Sequence, residues 1–289
     1  MNVKGPMSAR GPVAPDLEDV ASVISSRGGR LGKPIHLLAQ TGSTNDDAKA
    51  GARDGAPHGA VWLAETQSRG RGRQGRSWVS PPGENLLFSV LVRISCLPAR
   101  VPSLSLVCGL AVRDAVARAI GDDSRVLLKW PNDVVIRAPA PNPSVPFRKV
   151  SGILVESALS STKVEYIIIG IGVNVHTREF PGELDAIATS IVRETSRAPD
   201  RAELLANILA SLDHDIEHVA HRGLGIVHAR LSKHDALAGR EVESDDGSIS
   251  GVASGIDMDG RLLVRRSDGT ITKVASGELR VRVCPNAHG

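Results

Sequence analysis

Residues 164–175 read VEYIIIGIGVNV, a nearly continuous apolar run. Such a run predicts a strand that is buried on both faces. It also contains Gly170 and Gly172, and glycine inside a strand usually marks a place where a ligand or another backbone comes close. The sequence therefore predicts a buried sheet in which one strand has a close neighbour on its surface.

Four further segments have strand character. RVLLKW (125–130) and KVSGILVES (149–157) are apolar in the same way, and AVWLAE (60–65) and NLLFSVLV (85–92) have strand composition. The segment RAPAPNPSVPFR (137–148) carries four prolines and is predicted to be an irregular loop.

Four helices are predicted from apolar spacing and from their end signals. The first is short, with Asp16 as its N-cap. The second begins at GSTN (42–45), which has the hydroxyls of a capped start. The third spans 102–121, where a proline and a glycine mark its ends, and the fourth spans 199–223.

From about Ala236 onward, short alternating segments replace the long apolar runs. Asp246-Gly247, Asp259-Gly260 and Asp268-Gly269 separate these segments, and Asp-Gly is a strong hairpin signal. This pattern predicts a small antiparallel barrel as a separate C-terminal domain.

Composition limits the class of protein. The 289 residues allow one sizeable domain and a smaller one, and a net charge of +3 is too mild to require a nucleic-acid partner. Cys96, Cys108 and Cys284 are odd in number and widely spaced, so neither a disulfide framework nor a zinc site is indicated. The first fifteen residues contain no continuous apolar run, and no later run approaches the ~18 apolar residues of a membrane span. We expect a soluble cytoplasmic protein with no membrane partner.

The stretch QSRGRGRQGRSW (67–78), here called the arginine-glycine loop, lies between two predicted strands. Its glycines permit close approach of the backbone, and its arginines offer forked donors to carboxylate or phosphate. Such a loop should repel itself when alone and order around an anionic ligand. Considered by itself, this stretch fits a nucleic-acid-binding segment or a solvated loop at least as well as it fits a ligand site. However, arginine-glycine segments that bind nucleic acid usually occur in disordered tails.

Two other motifs carry charge next to buried strands. KWPND (129–133) places a lysine, an amide and a carboxylate at a strand end, although it could be only a turn. In KVSGILVE (149–156) a lysine precedes a buried strand, where it must either meet an anion or extend to solvent.

Taken in chain order, these motifs resemble those of biotin protein ligases. The matching segments are STN, ETQSRGRGRQGRSW, KWPND, KVSGILVE and GIGVNV, followed by the small β domain. The resemblance spans roughly residues 35–283, and the arginine-glycine loop with KWPND is its most specific part.

The resemblance implies an α+β fold with a mixed β-sheet backed by helices, similar to class II aminoacyl-tRNA synthetases, and a C-terminal SH3-like β-barrel. The expected domains are an N-terminal extension with one short helix (1–34), a catalytic domain that binds biotin and ATP (35–234) and an SH3-like domain (235–289).

The implied reaction has two steps. Biotin and MgATP give biotinyl-5′-AMP and pyrophosphate, and the acyl group then passes to a lysine of a biotin carboxyl carrier domain of an acyl-CoA carboxylase. Attack of a carboxylate on a phosphate requires cations between the two anions, and Arg71, Arg73 and Lys149 are suited to that catalytic task.

The resemblance also implies site residues at matching positions. Biotin would contact Ser43, Thr44, Asn45, Gln67, Gly70, Arg71, Lys149 and Gly152. ATP and the adenylate would contact Arg71, Arg73, Arg76, Trp78, Lys149 and Asn174. Asn132 and Asp133 would help to position Mg²⁺ or the acceptor lysine, and no metal ion is expected to be fixed by the protein alone.

Many bacterial family members carry an N-terminal winged-helix repressor domain, whereas only about 35 residues precede IHLLAQTGSTN here. We therefore expect no helix-turn-helix domain and no DNA partner. Exposed sheet edges could serve either a second subunit in a homodimer or the acceptor domain.

Two alternatives stay open at this point. A lipoate–protein ligase shares the fold and the adenylation chemistry but is not expected to carry GRGRQGR in this form. A nucleic-acid-binding module would use the basic loop and the C-terminal barrel, but it leaves KWPND and KVSGILVE unexplained.

Overall fold

The structure, a computed structural model, describes residues 14–138, 145–160, 163–197 and 199–282. Within these residues the helices are α1 Val20–Ser26, α2 Thr44–Arg53, α3 Val101–Ile120, α4 Leu184–Ile187, α5 Ile191–Glu194, α6 Arg201–Arg222 and α7 His228–Lys233. The strands of the larger sheet are β1 Ile35–Leu38, β2 Val61–Ala64, β3 Leu86–Val92, β4 Val126–Lys129, β5 Asp133–Arg137, β6 Phe147–Ser160 and β7 Lys163–Val173. Those of the smaller sheet are β8 Glu241–Ser244, β9 Ser250–Ile256, β10 Leu262–Arg265, β11 Ile271–Val274 and β12 Leu279–Val281.

The larger sheet has the strand order β1-β2-β3-β7-β6-β5-β4, with β1 parallel to β2 and every other pair antiparallel. This arrangement confirms the expected mixed sheet backed by helices. Helices α3 and α6 pack together on one face, where alternate residues of β7 such as Ile167 and Ile169 enter the main core. Helix α2 covers the opposite face, and its Ala48 and Ala52 meet Trp62, Tyr166 and Ile168.

The prediction of an irregular loop at 137–148 is wrong at both ends of the segment. Arg137 still belongs to β5 and pairs with Phe147, the first residue of β6. The β-branched residues of DVVIR form a strand because β6 offers it a partner, and proline content alone does not reveal that partner. The middle of this segment, 139–144, lies outside the described residues.

Asp16 does not cap the first helix. It lies in a 3-10 turn, and its carboxylate accepts hydrogen bonds from the guanidinium of the fully buried Arg201 at 2.7 and 2.8 Å. Helix α1 begins later, at Val20. A buried arginine needs a carboxylate more than a short exposed helix needs a cap.

The smaller sheet is antiparallel and has the order β11-β10-β9-β8-β12, which confirms the predicted small C-terminal β unit. All three Asp-Gly pairs lie in its hairpin turns, and the glycines have φ of 70°, 83° and 84°. The unit contacts the larger sheet where Trp130 Nε1 donates to the Gly260 carbonyl at 3.0 Å. The expected domain boundaries stay predictions.

Across the described ranges, no helix combines the length and the apolar character that crossing a membrane requires.

Candidate active site

A cavity of about 230 Å³ lies over the face of the larger sheet that α2 covers. The structure brings nearly all of the predicted site residues together around it: Ser43, Thr44, Asn45, Gln67, Arg71, Arg73, Arg76, Trp78, Asn132, Asp133, Lys149, Gly152 and Asn174. Gly70 does not line the cavity. A Cβ atom at Gly70 would lie 2.6 Å from the Trp78 carbonyl oxygen, so this glycine allows the two ends of the loop to meet.

Three glycines form the floor of the cavity. Gly152 of β6 and Gly172 of β7 are directly opposite each other, and a Cβ on either would lie 3.1 or 2.6 Å from the Trp78 ring. A Cβ on Gly170 would lie 2.2 Å from Asn45 Oδ1. The close neighbours of these glycines are therefore the side chains of Trp78, Asn45 and Lys149, the last with its Nζ 2.9 Å from a Cβ on Gly152, and they occupy the space that any larger residue would fill.

The polar end of the cavity, defined by Ser43, Thr44, Asn45 and Ser89, is buried and internally hydrogen-bonded. The first three are each 3% exposed and Ser89 is 0% exposed. Ser89 Oγ lies 2.7 Å from Thr44 Oγ1 and 2.6 Å from Asn45 Oδ1. The Thr44 backbone N–H, at the start of α2, donates to Gln67 Oε1 at 2.8 Å. The side chains of Thr44 and Asn45 therefore have one defined orientation.

Three of the four arginines of the arginine-glycine loop have a partner on another element. Arg71 Nη2 lies 2.6 Å from Asp46 Oδ1, Arg73 Nη1 donates to Asn132 Oδ1 at 3.2 Å, and Arg76 forms an ion pair with Glu278. The hydrogen bond to Asp46 raises the pKa of Arg71, whereas burial lowers the pKa of Arg73. The three contacts lie on different elements and offset part of the expected self-repulsion, although Arg76 still repels Arg73.

Lys149 lies in the middle of the cavity. Its Nζ is 2.7 Å from Asp133 Oδ1 and 5.5 Å from the centroid of the Trp78 ring. The Asp133 oxygen receives no well-angled hydrogen bond from the described residues, so the contact with Lys149 is an ion pair held by proximity. The ammonium group meets an anion within the site, which is one of the two outcomes expected for a lysine at this position.

The far end of the cavity combines one amide with apolar side chains. Asn174 is 5% exposed, and Phe180, Leu184 and Ile187 lie near it in the lining. Leu184 and Ile187 are 38% and 53% exposed, so apolar surface faces the cavity mouth. The sequence did not predict a role in the site for this segment, for Glu278 or for Ser89, which bonds to the lining residues Thr44 and Asn45. A lone serine in the apolar strand NLLFSVLV was the one usable signal, because a buried hydroxyl needs a partner.

The part of the chain that the structure describes contains no cluster of three or more histidine, cysteine, aspartate or glutamate side chains that could hold a metal ion. Near the cations, Asp133 and Asn132 are neighbours at the turn between β4 and β5. Mg²⁺ commonly binds through one or two carboxylates together with substrate phosphates. This pair fits an ion that arrives with a nucleotide.

Comparison with known proteins agrees with this geometry. Residues 38–174 match the biotin/lipoate A/B protein ligase family, and residues 241–279 match the biotin protein ligase C-terminal domain. A Mycobacterium tuberculosis protein named biotin–(acetyl-CoA-carboxylase) ligase is 33% identical over 255 residues, covering 86% of this chain and 90% of that protein. A ligase of the same name from Paracoccus denitrificans is 32% identical, covering 79% and 93%.

Among solved structures, biotin protein ligase from Aquifex aeolicus in complex with biotin and ATP has a TM-score of 0.71 and 30% sequence identity, covering 87% of this chain and 100% of that one. The fold, the order of the motifs and the sequence identity over most of both chains all point to the same family. The chain therefore belongs to the biotin protein ligase family.

Proposed function

We propose that the chain is an enzyme that ligates biotin to protein at the expense of ATP, through biotinyl-5′-AMP. The observation that carries this function is the order of groups along one cavity. Asn45 of the buried polar end lies against Gly170 of β7. Lys149 and Trp78 lie against the next pair along the sheet, Gly152 and Gly172. The amide of Asn174 follows just beyond the end of β7. Biotin, phosphates and a nucleobase present the matching chemistry in the same order.

The polar end suits the neutral ureido ring of biotin. A cyclic urea offers one carbonyl acceptor and two N–H donors, and Ser43, Thr44, Asn45 and Gln67 supply hydroxyls and amide groups that can complement both. Because Ser89 and Gln67 fix Thr44 and Asn45, little conformational entropy is lost when the ring binds. The site would recognise the ring by the directions of its hydrogen bonds and by its shape, without using a charged group.

The cations suit the first chemical step. The biotin carboxylate must approach the α-phosphorus of ATP, and the two anions repel each other. Lys149, at the centre of the cavity, could hold a carboxylate oxygen and a phosphate oxygen together. Arg71 and Arg73 lie on the loop beside it, where they would stabilise charge on the α-phosphate and on the leaving pyrophosphate.

A divalent cation would enter with the triphosphate. Asp133, with Asn132 beside it, would hold Mg²⁺, and the ion would supply further neutralisation of the phosphates. Asp133 would first have to exchange its contact with Lys149, since the two lie 2.7 Å apart. Freed in this way, Lys149 would be available to substrate oxygens.

The acceptor of the second step is a lysine of a biotin carboxyl carrier domain. Its amine would attack the acyl carbon of the adenylate and release AMP. Closure of the arginine-glycine loop would shield the adenylate from water until that lysine arrives. The edge strand β1 could pair with the carrier domain or with a second copy of this chain, whereas the backbone of Leu128 in the other edge strand, β4, already bonds to His234 and Ala236.

Pyrophosphate release from MgATP tests the proposal. Purified protein is assayed with biotin, with lipoate and with neither, followed by transfer of labelled biotin to a carrier domain. Release that depends on biotin alone is expected. Release that depends on lipoate would move the chain to the lipoate branch of the family, and no release with either acid would overturn the adenylation reaction.

A further inference from the structure

The amide of Asn174 is held in one orientation by its surroundings. Its backbone N–H donates to the Val150 carbonyl at 2.8 Å, and its carbonyl accepts from the Ile191 N–H at 3.0 Å. Its side-chain Nδ2 donates to the Thr189 carbonyl at 3.0 Å. Two carbonyl oxygens cannot hydrogen-bond to each other, so the nitrogen must face Thr189 and the oxygen must face away from it.

The carbonyl of Thr189 is itself fixed. Thr189 is 0% exposed, and its backbone N–H donates to the Lys149 carbonyl at 2.9 Å. Its hydroxyl donates to Glu194 Oε1 at 2.6 Å. The short segment that carries the amide's acceptor is therefore tied to β6 on one side and to α5 on the other.

Glu194, the partner of the Thr189 hydroxyl, is a buried carboxylate held by several donors. Its side chain is 3% exposed and receives Arg148 Nη2 at 2.8 Å, the Thr189 hydroxyl and a guanidinium nitrogen of Arg125. A buried carboxylate with three donors is rigid, because each lost contact would leave a charge unpaired in a poorly solvated place. Glu194 does not line the cavity, so any effect on the substrate passes through Thr189 and Asn174.

We propose that Thr189 and Glu194 are positioning residues that set the nucleobase preference of the enzyme. They hold Asn174 with its oxygen, a hydrogen-bond acceptor, available to the base. An acceptor pairs with the 6-amino group of adenine and opposes the 6-oxo group of hypoxanthine or guanine. The inference rests on the proposed function, since it requires that the base lie beside Asn174.

The experiment compares ATP with inosine triphosphate, which carries a 6-oxo group where ATP carries the amine. The readout is kcat/KM for biotin-dependent pyrophosphate release. We expect the wild-type protein to prefer ATP by about 10- to 100-fold, the usual range for one mispaired group at a base edge. Thr189→Val, which removes only the hydroxyl, should reduce that preference at least about threefold, whereas Thr189→Ser should retain it.

A merely structural role for the hydroxyl would affect both nucleotides and biotin equally. The ratio between the two nucleotides, together with an unchanged KM for biotin, separates the two roles. Thr195→Val is the matched control, because it makes the same change at a nearby threonine whose hydroxyl oxygen accepts from the Arg197 N–H at 3.3 Å and hydrogen-bonds to neither Glu194 nor Asn174, so the ratio should not change.

The inference and the proposed function fail in different ways. No biotin-dependent release from ATP in the wild-type protein overturns the proposed function. Release from ATP without preference over inosine triphosphate, or a preference that Thr189→Val leaves intact, overturns only the inference.

Discussion

The polar end of the cavity and the arginine-glycine loop are stabilised in different ways. Thr44 and Asn45 are 3% exposed, and their contacts with Ser89 stay within the buried interior. The side chains of Arg71 and Arg76 are 41% and 56% exposed, and each depends on an ion pair with a distant element. One region is fixed by packing, whereas the other is held by contacts that water and salt weaken.

In the proposed mechanism, the difference follows from the ligand group that each region would bind. A neutral ring is recognised through short hydrogen bonds, whose strength falls steeply when an angle or a distance changes. A phosphate attracts a cation over several ångströms, so the cation can shift and still stabilise it. Substitutions at the polar end should therefore change affinity for biotin, and substitutions in the loop should change how long the adenylate is retained.

The largest effect is expected at Lys149, which lies between the two regions and contacts both reacting groups in the proposed mechanism. Lys149→Ala should reduce the rate of biotin-dependent pyrophosphate release by about 10²- to 10³-fold, because a cation facing developing negative charge is lost. Lys233→Ala, a change at a lysine with a 67% exposed side chain, is the control. An unchanged rate in a folded Lys149→Ala protein would remove Lys149 from the chemistry.

The sequence revealed Lys149 because KVSGILVE combines a lysine with an apolar strand, two features that conflict locally. The Asp-Gly hairpins were equally readable, since a tight turn depends on its own two residues. Strand β5 was missed because its pairing with β6 is set by tertiary structure. The segment around Ile187 was missed for the same reason, since tertiary contacts such as the bridge between Ala188 and Lys149 bring it to the cavity.

The second effect concerns retention of the adenylate by the loop. Arg73→Gly removes a half-buried cation and its contact with Asn132, so the loop should close less firmly and adenylate should escape about tenfold faster or more. Free adenylate would then biotinylate unrelated lysines, which blotting of a mixed protein sample detects.

Arg69→Gly is the matched control for this prediction. Arg69 lies in the same loop but does not line the cavity. Its replacement should leave labelling confined to the carrier domain. Equal promiscuity in both variants would show that the charge of the loop as a whole matters, and not the position of Arg73.

A smaller effect is expected at the polar end. Ser89→Ala removes the hydroxyl that lies between Thr44 and Asn45, and should raise the KM for biotin by about tenfold, the usual consequence of an unpaired buried polar group. The KM for ATP should stay within about twofold. Ser254→Ala, at an exposed serine of β9, is the control. If the KM for ATP rose as much as that for biotin, the two regions would not be independent.

The smallest effect is expected at Asp46, the loop's partner on α2. The exposed pair between Asp46 and Arg71 contributes little to stability, so Asp46→Asn should leave the melting temperature nearly unchanged. It should lower the KM for ATP by about two- to fourfold, because Arg71 no longer has to leave a carboxylate in order to meet a phosphate.

The direction of the Asp46 effect decides between two roles for the ion pair. If Asp46 competes with phosphate, the KM for ATP falls in Asp46→Asn, and added salt, which weakens the pair, reduces the difference from the wild-type protein. If Asp46 instead orients Arg71 toward the nucleotide, the KM rises. In that case Arg71, like Thr44 and Asn45 at the polar end, is held in a fixed orientation by its neighbours. The contrast between a fixed polar end and an adjustable loop would then not apply to Arg71.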